Sequence, residues 1–314
     1  MASTAFVFPG QGSQSVGMLA DVGDRPLVAE SYAEASERLG YDLWKLTQEG
    51  PEEQLTQTEF TQPAILTASV ALWRLAREGG AAAPHAVAGH SLGEYSALVA
   101  AGVLSLGDAA YIVQQRGRFM QAAVPVGVGS MAAILGLEDA AIEEICTAVS
   151  EVDASVQPAN YNAPGQLVVA GHAAGVDKAV EACKEAGAKR ATLLAVSAPF
   201  HSALMAPAAE ELKPVLESFE FLAPSCKVVQ NVDAQFRSDP DAIRANLIRQ
   251  VDSAVLWSQI IGTLQSDGVG VVVECGPGKV LSGLNRRIDR SIESHNIGDA
   301  ASLAATLDAE GIRA

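Results

Sequence analysis

Five residues, Gly89-His90-Ser91-Leu92-Gly93, set a serine between two glycines in a G-x-S-x-G spacing. A serine hydroxyl is a weak nucleophile until a sharp turn exposes it and a base takes its proton. Glycines suit such a turn, because two backbone segments approach closely and a Cβ would clash. Ala86-Val87-Ala88 before it reads as a buried strand, and Glu94 to Ala101 after it reads as a helix. In that setting the next N–H and the helix N-terminus can stabilise an oxyanion. A glycine-rich strand–helix turn with a chance serine fits the five letters equally well; the flanking elements favour chemistry.

Such a serine needs a general base, and the chain has five histidines. His90 is the neighbour of Ser91, and neighbours in a tight turn point apart. His85 precedes the strand, at its wrong end. His172 follows Gly171 in an expected turn, and His295 sits in a polar segment near the C-terminus. His201, in Pro199-Phe200-His201-Ser202, comes just after an expected strand and at the mouth of a helix. Active-site groups of α/β folds gather at the carboxyl ends of strands, so His201 is the candidate base, against the alternative of a structural histidine. No acidic residue stands out as its orienting partner.

A third candidate is Arg116. On the expected helix 106–123 it lies three or four residues from Ile112, Val113, Phe119 and Met120, in the middle of the apolar stripe. An inward arginine needs a partner, since an unpaired buried charge costs several kcal/mol. The helix alone favours an ion pair with an acidic residue of this chain; the sharper alternative is a fork for a substrate carboxylate. Arg118 falls off the stripe and is expected to be solvated.

These residues must be held by a sizeable scaffold. The 314 residues are 49% hydrophobic and 18% charged, enough for a large domain plus a small one. Lys and Arg number 21 against 37 Asp and Glu, a net charge of −16 that disfavours nucleic acid. Two basic clusters break the acidity, Lys189-Arg190 and the helix-like Lys279, Arg286, Arg287, Arg290; each is either a solvated helix end or a patch for an acidic partner. The first basic residue is Arg25, so no secretory leader is expected. Uncharged stretches at 119–137 and 191–209 are broken by prolines, three glycines and His201, and neither is read as a membrane span. Cys146, Cys183, Cys226 and Cys275 are far apart, which fits reduced thiols in a cytoplasmic protein and no metal cluster.

Nucleotide motifs fail on context. After the first strand, Thr4 to Phe8, Gly10-x-Gly12 lacks its third glycine, where Ser15 stands; that loop can instead offer backbone N–H groups to an oxyanion. Gly127 to Ala132 precedes a strand, and Gly276-Pro277-Gly278-Lys279 is followed by Val280, so it is no P-loop. Helices are expected at 26–39 and 60–77. From Met131 the order becomes strand 131–135, helix 140–149, strand 156–160, turn 162–165, strand 167–170, helix 176–186 and strand 191–196. That is β-α-β-β-α-β, a ferredoxin-like small domain at 127–197 inserted into a large domain of residues 1–126 and 198–314. The chain continues with helix 203–219, strand 227–230, helices 243–251 and 255–265, and strand 269–273.

The motifs are also similar, as a set, to the malonyl-CoA:acyl carrier protein transacylases of fatty acid and polyketide synthesis. The resemblance covers nearly the whole chain and rests on Phe8 to Gln14, Gly89 to Tyr95, Gln115-Arg116-Gly117, Asn160 to Gln166, Pro199 to Ser202 and Glu274 to Gly278. It implies an α/β-hydrolase-like core with a parallel sheet. It implies that Ser91 is acylated, that His201 shuttles its proton, and that Arg116 pairs with the malonyl carboxylate. The N–H groups of Gln11 and Leu92 would form the oxyanion hole, the Gln250 carbonyl would orient His201, and Phe200 and Leu92 resemble malonyl-selective members. The substrate would be malonyl-CoA and the partner an acyl carrier protein bearing phosphopantetheine, with no other cofactor and no metal. Lys189, Arg190, Arg286 and Arg287 become candidate carrier-docking residues. The pathway and the oligomeric state stay open, a monomer being compatible. A serine thioesterase or esterase on a related core is the rival enzyme, and a non-catalytic carrier-binding scaffold the rival of another class.

Overall fold

A computed structural model describes residues 3–309 and 311–313. Its ten strands in chain order are β1 (Ser3–Phe8), β2 (Ala86–Gly89), β3 (Gly129–Leu135), β4 (Val156–Ala163), β5 (Gln166–His172), β6 (Arg190–Leu193), β7 (Lys227–Val229), β8 (Phe236–Arg237), β9 (Val269–Cys275) and β10 (Glu293–Ile297). They form two sheets, one ordered β10-β9-β1-β2-β7-β8 and one ordered β4-β5-β3-β6.

The first sheet is parallel except for its last pair, β7 with β8. Its central strands are continuous apolar runs because both faces are covered. Alternation along β1 shows this: Phe6 and Phe8 join one buried cluster, Ala5 and Val7 the other. The first face is covered by helices that include Pro26–Leu39, Thr58–Glu78, Gly93–Ala100 and Leu106–Ala122, the second by Trp257–Ser266 and Val280–Ile288. The result is helix, sheet, helix in three layers.

The second sheet is antiparallel. Helices Asp139–Val149 and Ala173–Glu185 contribute Ile142, Cys146, Val176, Ala179, Val180 and Cys183 to a core on one of its faces. Its other face carries Met131, Ala159, Val168 and Ala170, with Phe200 packed against them. The edge of β4 is tied to the large sheet's side of the molecule: the N–H of Tyr161 donates to the Val255 carbonyl and that of Val255 to the Ala159 carbonyl, each at 2.9 Å.

Several expected elements shift. β4 runs on through Asn162 and Ala163, so the hairpin closes on Pro164-Gly165 alone, with Gly165 at a φ of 69°. The strand expected at 191–196 ends at Leu193, and Leu194 to Val196 peel away to line a cavity. The helix expected at 203–219 is a 3-10 turn, Ala203–Met205, followed by helix Ala206–Glu217 with Pro207 in its first turn, where no N–H is needed. Helices Leu43–Glu49, Glu52–Leu55 and Ala300–Leu307 and strands β8 and β10 were not anticipated. No helix among the described residues is long and apolar enough to cross a membrane. The four cysteines are free thiols.

Candidate active site

Ser91 follows β2 and is the turn residue before helix Gly93–Ala100, with a φ of 52° that side-chain-bearing residues seldom adopt. The flanking glycines are required by contact. A Cβ on Gly89 would lie 1.9 Å from the Gly93 carbonyl carbon, and one on Gly93 would lie 2.0 Å from the Phe8 oxygen. The loop after β1 packs on the same turn, since a Cβ on Gly10 would meet the His90 carbonyl oxygen at 2.7 Å. That closeness brings Gln11 and Leu92 with Ser91 to the wall of one cavity of about 450 Å³.

The Ser91 hydroxyl lies 2.6 Å from His201 Nε2, and His201 Nδ1 lies 2.9 Å from the Gln250 carbonyl oxygen. A carbonyl only accepts, so Nδ1 carries the proton and Nε2 presents its lone pair to the serine. His201 is 3% exposed and has a φ of 60°. Burial first, and the Arg116 charge second, lower its pKa to about 3, which keeps the imidazole neutral. The carbonyl partner explains why no acid could be found for this histidine.

Arg116 is 2% exposed, so it faces inward as its position on the stripe requires. Its partners are not the carboxylate that the helix alone favours. Nη1 donates to Gln62 Oε1 at 3.0 Å, and Nη2 donates to Gln250 Oε1 at 2.8 Å and to Ser91 Oγ at 3.3 Å. Its guanidinium carbon lies 5.8 Å from the Tyr95 ring centroid, and its Nε has no acceptor among the described residues. Its two side-chain amide partners are neutral, burial lowers its pKa, and its Nη2 is turned to the Ser91 hydroxyl. Phe200 lines the same cavity, with Met120 and Met131 nearby. Arg118 is exposed, as expected, and pairs at the surface with Glu59 at 2.7 Å.

The remaining histidines do other work. His90 turns away from its neighbour, as expected, and its Nε2 lies 2.8 Å from Asn162 Oδ1 of β4. His85 pairs with Asp267 at 2.6 Å, His295 with Glu293 at 2.8 Å, and His172, at the end of β5 rather than in a turn, lies 2.9 Å from Ser155 Oγ.

Four polar residues of the site were not singled out from sequence. Asn231 brackets the elbow: its Oδ1 accepts from the Ser91 N–H at 2.7 Å and its Nδ2 donates to the Gly89 carbonyl at 2.6 Å. Gln230, beside it, and Glu94 and Gln62 are all buried. Gln230-Asn231 follows β7, so the rule about strand carboxyl ends that selected His201 also points there. Gln62 and Glu94 carry a weaker signal, a polar residue inside an otherwise apolar helix.

The candidate docking residues Lys189, Arg190, Arg286 and Arg287 are exposed. Leu135 of β3 pairs with Arg190 on one side and Gln166 on the other, and Arg287 Nη1 donates to Gln166 Oε1 at 2.6 Å. Arg287 of the second cluster is thus tied to the end of the small sheet at which Arg190 lies.

Known proteins share this chain's length and form. The chain matches the acyl transferase domain family over residues 5–309. It is 52% identical over 309 residues to the malonyl CoA-acyl carrier protein transacylase of Escherichia coli K12, covering 98% of this chain and 100% of that one. It is 46% identical to the Bacillus subtilis 168 protein of the same name, covering 95% and 94%. Among solved structures, an acyl-carrier-protein S-malonyltransferase from Burkholderia pseudomallei 1710b superposes with a TM-score of 0.95 at 49% identity, covering 98% and 100%. A malonyl-transacylase solved in complex with a type II PKS acyl-carrier protein does so with a TM-score of 0.95 at 50% identity, covering 98% and 99%. With the match spanning nearly every residue, and the serine, histidine and arginine gathered in one cavity, the chain belongs to the acyl transferase family.

Proposed function

We propose that this protein moves a malonyl group from malonyl-CoA to the pantetheine thiol of an acyl carrier protein, through a malonyl-serine intermediate on Ser91. The observation that carries this reading is the 2.6 Å contact of Ser91 Oγ with His201 Nε2, with Arg116 Nη2 3.3 Å from the same oxygen. Ser91 Oγ attacks the thioester carbonyl while its proton passes to His201 Nε2. The N–H groups of Gln11 and Leu92 stabilise the oxyanion. On collapse the C–S bond breaks and CoA leaves as a thiol with the proton from His201. The carrier thiol then enters and gives its proton to His201. Its sulfur attacks the malonyl-serine carbonyl, and Ser91 Oγ leaves and recovers the proton. Throughout, Arg116 pairs with the malonyl carboxylate, a contact that an acetyl group lacks. These steps call for no cofactor and no metal. The Gln250 carbonyl takes the orienting place of an acid, and Phe200 packs beside the acyl group.

We also read the large sheet and its helices, residues 1–126 and 198–314, as an α/β-hydrolase-like domain, and residues 127–197 as an inserted ferredoxin-like domain. The order β4-β5-β3-β6, with both helices on one face, supports the latter. The basic end of that sheet, Lys189, Arg190, Arg286 and Arg287, is the proposed docking place for an acidic carrier, and the cytoplasm is the proposed location. Intact mass spectrometry after incubation with malonyl-CoA tests the chemistry. The wild type should gain one malonyl group and lose it to a holo-carrier, and Ser91→Ala should gain none. An adduct on Ser91→Ala places the nucleophile elsewhere, and an adduct that water removes faster than the carrier does favours the thioesterase reading.

A further inference from the structure

The Glu94 carboxylate takes no part in the steps above, yet it is 1% exposed at the heart of the site. It stands in the first turn of helix Gly93–Ala100. Its Oε1 accepts from Gln230 Nε2 at 3.0 Å, and its Oε2 from Gln250 Nε2 at 2.7 Å and from the Asn231 N–H at 3.3 Å. Burial pushes its pKa up to about 7, while these donors and Arg116 pull the other way.

Glu94 and Arg116 do not touch: among the described residues Arg116 makes no ion pair. One amide stands between them. Gln250 turns its Oε1 to Arg116 Nη2 at 2.8 Å and its Nε2 to Glu94 Oε2 at 2.7 Å. The oxygen end of the amide faces the cation and the N–H end faces the anion, so one dipole compensates both buried charges. A direct carboxylate–guanidinium pair would instead occupy the edge of Arg116 that faces Ser91. The same Nε2 donates to the Ser91 carbonyl at 2.9 Å, and the main-chain oxygen of Gln250 orients His201. An amide has nearly the same shape either way round, so packing does not choose its orientation. Its hydrogen-bond partners do: Arg116 only donates, whereas the Ser91 carbonyl and the ionised Glu94 only accept, so the oxygen end faces Arg116 and the N–H₂ end faces the other two, with Glu94 the charged acceptor at 2.7 Å.

We propose that Glu94 is a positioning residue for acyl selectivity, whose carboxylate locks the Gln250 amide so that Arg116 is held beside Ser91 with an edge open to the substrate carboxylate. This rests on the transacylase reading. In Glu94→Gln one acceptor oxygen becomes a donor of the same size. Either the Gln250 N–H₂ keeps only a weaker, neutral acceptor and its amide is held less firmly, or a donor–donor clash remains at Gln230, Asn231 or Gln250 itself and pushes the amide out of place beside Arg116.

The test is steady-state transfer to a holo-carrier from malonyl-CoA and from acetyl-CoA. Glu94→Gln should raise KM for malonyl-CoA about 10-fold, change kcat less than about 3-fold, and lower the malonyl-to-acetyl ratio of kcat/KM about 10-fold. Gln250→Met keeps the main-chain oxygen that holds His201 and removes only the amide. It should lower the same ratio, and the double variant should fall no further than Gln250→Met alone. If Glu94→Gln does not fold, the ratio in Gln250→Met decides. An unchanged ratio, an equal loss on both substrates, or additive losses in the double variant overturns the inference. Wild-type transfer is measured alongside: its absence overturns the transacylase reading and the inference with it, whereas normal wild-type transfer with an unchanged ratio in the variants overturns the inference alone.

Discussion

His201 and Arg116 both sit within hydrogen-bond reach of Ser91 Oγ, and each constrains what the others can be. The positive Arg116 beside Ser91 discourages protonation of His201, and the buried imidazole must stay neutral to accept the serine proton. Replacing Arg116 by Ala should lower kcat/KM for malonyl-CoA about 10- to 100-fold, the worth of a charge-assisted fork. Acetyl transfer should be kept or should rise. Equal losses with both thioesters would remove Arg116 from the substrate's side. The histidine also makes a stability prediction. Its folded pKa is lowered to about 3, so below the usual value near 6.5 the unfolded chain binds a proton that the folded chain refuses. His201 therefore weakens the fold as pH falls from about 6.5 toward 3. Glu94, raised to about 7, opposes it: the folded state binds the extra proton between that value and the ordinary carboxyl range, and gains stability as pH falls through that window. A His201→Asn variant isolates the first effect. Its Tm relative to wild type should climb by about 2 °C per pH unit below pH 6.5, measured by calorimetry. A difference that stays flat with pH contradicts a neutral buried His201.

The elbow is where element geometry and chemistry meet. Its two glycines are fixed by backbone contact, in contrast with Gly262 in helix Trp257–Ser266, where an added Cβ meets nothing within 4 Å. Gly93→Ala should cost about 3 kcal/mol or more and lower Tm with activity, because the Phe8 oxygen cannot retreat without moving β1. Gly262→Ala should raise stability by about 0.5–1 kcal/mol and leave transfer unchanged, through better helix propensity alone. Urea melts of the two variants check both, and similar shifts would deny the elbow its tight packing. Legibility in the sequence followed the same division. β1, β2 and β9 are buried on both faces and announce themselves as apolar runs. β10, Glu293-Ser294-His295-Asn296-Ile297, is an edge strand paired only with β9, so it carries no such run. The stretch Leu194 to Val196 reads as strand by composition but serves as cavity wall, because apolar side chains suit either place.

At the scale of the molecule, the site lies where the two sheets meet. The small sheet turns Met131 toward the cavity and is tied down by β4, through Val255 and through His90 to Asn162. At its far end lie Arg190 and, tied there through Gln166, Arg287, on a chain whose net charge is −16. A local positive patch on an acidic body favours a defined approach by an acidic partner. Arg287→Glu should raise KM for the carrier about 5-fold and leave KM for malonyl-CoA unchanged, and added salt should narrow the gap between variant and wild type. A carrier KM indifferent to both charge and salt would move docking elsewhere.

The serine's turn and the inward arginine were legible from the amino-acid sequence, because glycine contacts and helical periodicity are local and leave local marks. The sequence also carried enough separated motifs to indicate the family and, through it, the Gln250 carbonyl. How the buried charges are compensated became visible in the folded molecule alone. The partners of Arg116 are amides from helices distant in the chain, and the amide between Arg116 and Glu94 comes from Gln250, more than 130 positions from either. Such a relay has no spacing in sequence; it exists only once burial forces each polar atom to find an acceptor or a donor.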